Sequence, residues 1–108
     1  MMIVYEVNQE IEPEVFDEFK KWFSETHVPE MLAITGFIEA RILVNEDESG
    51  NTKRTTCCYL VRSRDSYEKY TKNYAAEMTR RLHEKFGSRV RLIRRIFAVS
   101  QTISSISH

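Results

Sequence analysis

Long apolar runs, cysteines and backbone-breaking residues are all scarce in this chain of 108 residues. No stretch approaches the ~18 uncharged apolar residues of a membrane-spanning helix, so no membrane partner is expected. The opening MMIVYEVNQE has neither a basic n-region nor a cleavage site, which predicts no signal peptide. The two cysteines are adjacent, Cys57-Cys58. On a strand their side chains point to opposite faces, which places them poorly for pairing. Reduced thiols suit a cytoplasmic setting. His83 and His108 share no ligand spacing with His27, so no metal site is expected, and no motif calls for another cofactor. With three glycines and two prolines, each one becomes informative about where an element ends.

What is present is the composition of one ordinary folded domain: 42% hydrophobic and 30% charged residues, far from the disordered class. The charge sums to zero but is unevenly laid out. Residues 1–50 hold 12 acids and 3 bases, and residues 51–108 hold 4 acids and 13 bases. A basic face for nucleic acid is one reading. The full cancellation favours the other, in which the halves meet within the fold or across a dimer and neutralise each other.

Periodicity sets the elements. MIVYEVN (2–8), FIEARILV (37–44), RTTCCYLVR (54–62) and RVRLIRRIFAV (89–99) read as strands, rich in β-branched and aromatic residues. Pro13 opens a helix whose Val15, Phe16, Phe19, Trp22 and Phe23 form one apolar stripe at helical period. Pro29 is expected to break it, leaving Glu30 to Ile34 one further turn before Thr35-Gly36. Ser49-Gly50-Asn51 signals a hairpin turn. Ser63 or Asp65 caps a second helix with a stripe of Tyr67, Tyr70, Tyr74, Met78, Leu82 and Phe86, closed by Gly87. The order β-α-β-β-α-β predicts an α+β, ferredoxin-like domain over residues 1–100, with four antiparallel strands and both helices on one face. Residues 101–108 form a polar tail.

Such a sheet has a bare face. On it the alternation places Met2, Val4, Glu6 and Asn8 of the first strand, and Phe37, Glu39, Arg41 and Leu43 of the second, with one of Arg94 or Arg95. That is more apolar surface than a monomer exposes, so a homodimer through this face is expected. Its polar groups would either line a pocket for a small ligand or form ion pairs that set the register of the dimer.

IVYEVN, HVPEML followed by GF and EAR, SRDSYEKY, and FG before the basic last strand resemble an uncharacterised bacterial family of unknown function, over about residues 2 to 97. That family is predicted to belong to the dimeric α/β-barrel superfamily, which implies the same fold and a homodimer. The wider superfamily includes antibiotic-biosynthesis-type and haem-degrading monooxygenases and EthD-like proteins. Of the haem-degrading signature, Asn8 stands near the first position, but Tyr70 falls where a Trp belongs. The ligating histidine maps to about Arg80. The resemblance therefore implies no haem. In EthD-like members a His follows the first helix, and His27 resembles that placement.

The candidate site is a pocket near Trp22 and His27, lined by Asn8, Arg41 and Tyr59. There His27 would take a proton from an activated carbon acid and Arg41 would steady the oxyanion. A plainer role for His27 is a half-buried imidazole bonding backbone freed by Pro29. A second function class is a non-catalytic dimerisation or regulatory module. The RNA-recognition motif shares the element order, but Glu6 and the aromatic-poor third strand lack its stacking surface, so no nucleic-acid partner is expected.

Overall fold

Strict alternation builds the first strand, β1 (Ile3–Ile11): the odd residues Ile3, Tyr5, Val7, Gln9 and Ile11 are buried and the even ones only partly so. The computed structural model describes residues 1–46 and 52–106. β1 lies at the centre of a four-stranded antiparallel sheet of order β2-β3-β1-β4, with β2 (Phe37–Val44), β3 (Lys53–Val61) and β4 (Val90–Ala98). The turn expected at Ser49-Gly50-Asn51 lies outside the described residues. All helices pack on one face, over a core that includes Ile3, Tyr5, Tyr59 and Val61 from the sheet and Phe19, Met31, Leu82 and Phe86 from the helices. The chain is thus an α+β, ferredoxin-like domain. No helix among the described residues is long and apolar enough to cross a membrane. Residues 101–105, at the start of the polar tail, carry no regular structure.

Three local features depart from the pattern read in the sequence. Pro29 does not break the first helix. After a 3-10 turn at Pro13–Val15, α1 (Phe16–Trp22) passes through a π-helical turn (Phe23–His27) into α2 (Val28–Leu32). Val28 N–H donates to the Phe23 carbonyl, five residues back. That wider ladder draws the preceding carbonyls away from the Pro29 ring, which would collide with them in a regular α-helix.

The second departure is at β2. Phe37 was expected on the open face, but a bulge between Phe37 and Glu39 takes up Ile38 as an extra residue. Phe37 is instead buried among Tyr59 and Tyr70, and Ile38 is exposed. One inserted residue reverses the faces on either side of it.

The third is in the second helical segment, which divides at Tyr74 into α3 (Arg64–Asn73) and α4 (Ala75–Phe86). Tyr74 adopts φ −130° and ψ −29°, and its ring swings out of the expected stripe into solvent. The ends of the segment follow the sequence signals. Ser63 caps α3 by accepting the Ser66 N–H at 3.1 Å, and Gly87 closes α4 at φ 58°.

Candidate functional site

The π-helical turn presents His27 and Val28 together to the core, while Ser24, Glu25 and Thr26 stay outside. The imidazole stacks on Trp22 (centroids 5.2 Å apart, planes at 30°) and on Phe23 (5.3 Å, 24°). Neither ring nitrogen has a hydrogen-bond partner among the described residues. Burial, together with the Arg81 and Arg94 cations nearby, pulls its pKa down to about 4, so His27 is neutral at pH 7.

His27 faces a narrow chamber between helices and sheet. Its walls include Tyr5 and Gln9 of β1, Tyr59 of β3, Tyr70 of α3 and Met31 of α2, and its volume of about 20 Å³ suits roughly one water-sized group. Two buried polar atoms have no nitrogen or oxygen partner, Gln9 Nε2 and Tyr59 Oη, the latter lying beside the weakly bonding Cys57 thiol. The carbonyl end of Gln9 is held by Thr55, whose hydroxyl donates to Oε1 at 2.5 Å. That bond leaves the amide nitrogen as the free end. Burial raises the Tyr59 and Tyr70 phenols far above their ordinary range, so both keep their protons. The chamber therefore offers N–H and O–H donors beside a neutral imidazole.

Arg94 of β4 lies at the mouth. Its Nε donates to Tyr5 Oη at 3.1 Å and its Nη2 to Thr79 Oγ1 of α4 at 3.0 Å. Outside these contacts a wider vestibule of about 410 Å³ is lined by Tyr67, Tyr70, Ala75 and Ala76 among others. The interruption at Tyr74 and the two small alanines keep this space open.

The five residues expected to share a site fall on two sides of the sheet. His27 and Tyr59 line the chamber, and Trp22 stands behind His27. Asn8 and Arg41 face the other way, in register with Thr56 and Cys58 on the open face, so neither reaches the imidazole. The cause is strand alternation: Asn8 and Arg41 are out of phase with the buried Val7 and Gln9 and with Tyr59. There Asn8 Nδ2 donates to Glu6 Oε1 at 2.8 Å and Thr56 Oγ1 donates to Asn8 Oδ1 at 2.8 Å. Arg95 also reaches Glu6 Oε1, at 2.6 Å. The Asn8 amide and then the Arg95 guanidinium hold the Glu6 carboxyl below its usual range. Arg41 pairs with Glu39 at 3.4 Å in largely exposed surroundings.

Two lining residues, Gln9 and Arg94, were missed by sequence reasoning, although both left the same signal. Each is a polar residue in the helix-facing phase of an otherwise apolar alternation, the buried Ile3-Tyr5-Val7-Gln9-Ile11 and the more open Val90-Leu92-Arg94-Ile96.

The fold is shared with several solved structures. SnoaB, a cofactor-independent oxygenase from Streptomyces nogalater, aligns with a TM-score of 0.71 at 14% identity, covering 97% of this chain and 100% of that one. A putative antibiotic biosynthesis monooxygenase from Nitrosomonas europaea gives 0.70 at 12% identity, covering 92% and 90%. A protein described as dimeric and ferredoxin-like, from an uncultured marine organism, gives 0.69 at 14%, covering 95% and 99%. At these identities the likeness establishes the ferredoxin-like fold alone. No curated protein matches the sequence. A family model described as a domain of unknown function, DUF4286, matches residues 2–100, and the chain belongs to that family.

Proposed function

We propose that this DUF4286 domain is a homodimer that binds a small ligand in the vestibule outside Arg94, with only its reacting end entering the chamber, and acts on it as a cofactor-free enzyme, with His27 as the base. One observation carries the reading: Gln9 Nε2, which has no protein partner, and Tyr59 Oη, which has at most the weak Cys57 thiol, line one chamber with the His27 imidazole. A buried polar group left unpaired costs about 1–3 kcal/mol, and fold stability alone would favour apolar residues there. A ligand oxygen accepting from Gln9 and Tyr59 offsets that cost. If the bound group is a carbon acid, its proton passes to the neutral imidazole. The electron pair moves onto the adjacent carbonyl oxygen, which accepts from Gln9 Nε2 and Tyr59 Oη. Trp22 and Phe23 hold the ring in place. SnoaB's description as cofactor-independent is in keeping with such chemistry.

The dimer is built through the open sheet face. Met2, Leu43, Ile93 and Phe97 each remain 45% exposed or more on that face. Two copies related by a two-fold axis bury this patch against itself, with Glu6, Asn8, Arg41 and Arg95 enclosed between the sheets. The Cys57 and Cys58 thiols, both unpaired, suit a reducing cytoplasm.

A second reading, a dimerisation module without chemistry, has its own support. The polar groups of the open face already satisfy one another within one chain and call for no ligand. A thermal-shift screen with small aromatic acids, quinones and haem on wild type and His27→Ala separates the two. A ligand that raises the melting temperature of wild type and not of the variant supports the chamber. No stabilising ligand leaves the module. A monomeric mass by sedimentation at micromolar concentration would sink the dimer in either case.

A further inference from the structure

Among the described residues Arg94 is the one guanidinium that lines the chamber, and it stands solvent-exposed at the mouth. It lies on the helix-facing side of β4, opposite Val7 and between Leu92 and Ile96. Its neighbours on the strand are neutralised: Arg95 pairs with Glu6 and Arg91 with Glu10. Arg81, the other cation near His27, pairs with Glu30 of α2. Arg94 alone of these holds only neutral hydroxyls, those of Tyr5 and Thr79. A guanidinium prefers a carboxylate or similar anion, which it grips in two parallel hydrogen bonds about twice as strong as those to neutral acceptors.

Within the chamber reading, on which this inference rests, we infer that the ligand is a small planar anion whose carboxylate, enolate or phenolate oxygens replace the Tyr5 and Thr79 hydroxyls on Arg94. Its ring lies in the vestibule against Tyr67 and Tyr70, and its electron-rich end enters toward Gln9 Nε2 and Tyr59 Oη. The donor set agrees, since every free polar atom lining the chamber apart from the imidazole is a donor. The anion also completes the electrostatics of the base. The groups facing His27 from the packed elements are the neutral Tyr5, Tyr59 and Tyr70 and the cations Arg81 and Arg94. A bound anion there favours the imidazolium and makes His27 a stronger base when substrate is present.

Benzoate and its neutral isostere benzamide test this on the full chain, read by calorimetry and by the NMR titration of His27. Benzoate is expected to bind at least about 10-fold tighter than benzamide and to raise the His27 pKa. Arg94→Gln should bring benzoate down to the level of benzamide, with Arg94→Lys in between. Thr79→Val, which frees the guanidinium without altering its charge, should tighten benzoate a few-fold and decides the matter if Arg94→Gln does not fold. Equal binding of the two probes, or benzoate binding unchanged in Arg94→Gln, overturns the anion while the chamber stands. No response of the His27 and Tyr59 resonances to either probe overturns both.

Discussion

The neutral, buried imidazole of His27 makes the fold sensitive to acid in a calculable way. Its pKa falls from 6.5 to about 4 on folding. A depressed folded pKa means the unfolded chain binds the proton first, so His27 contributes no penalty above pH 6.5 and an increasing one below it. The linkage integral gives a loss of about 1 kcal/mol at pH 6, about 2 at pH 5 and about 3 at pH 4. For a domain of this size about 1 kcal/mol corresponds to ~4 °C in melting temperature. His27→Phe keeps a ring between Trp22 and Phe23 but removes the titration. Urea unfolding of both proteins from pH 7 to pH 4 isolates the imidazole, because the carboxylates titrate alike in each. The wild type is expected to lose about 3 kcal/mol more than the variant over that range. Parallel curves would refute the reasoning, since they would mean that the imidazole charges as easily inside the fold as outside it.

Three further expectations follow from local geometry. Gly36 sits at φ 96°, and a Cβ there would lie 2.5 Å from the Ser66 side chain, so Gly36→Ala should cost at least ~2 kcal/mol by chemical denaturation. A loss under half of that would contradict the close approach. If Pro29 causes the π-helical turn, Pro29→Ala lets the α ladder close and rotates His27 outward. Its pKa, followed by NMR, should then climb back toward 6.5, whereas an unchanged value would assign the turn to packing. The Cys57 thiol, raised to about 12 mainly by burial, should resist a disulfide reagent at neutral pH until denaturant is added; rapid native labelling at that position would contradict its burial.

How much of the site was legible depended on the kind of information each residue carried. His27 and Tyr59 could be named because they sit in phase with long apolar patterns that mark the buried side. Gln9 and Arg94 were legible in the same way, as polar residues on the helix-facing side of apolar alternations, but that signal reads as noise until a cavity gives it meaning. Asn8 and Arg41 were drawn into the site by chemical type, although their phase places them across the sheet.

The order of strands and helices, the buried phase of β1 and the ends at Ser63 and Gly87 were determined by the sequence alone. Each follows from interactions within a few residues, through side-chain period, capping and backbone freedom. The inward turn of Phe37, the passage of the helix through Val28-Pro29 and the pairing of Arg94 with Tyr5 and Thr79 were decided only by the tertiary structure. A bulge costs little locally and is selected by what the displaced side chain then meets on distant segments, and the π-turn that carries the helix past Pro29 is one of several ways a chain can meet a proline. His27 shows both sources at once: its burial is written in the helical stripe, and what it faces was settled by six other elements of the fold.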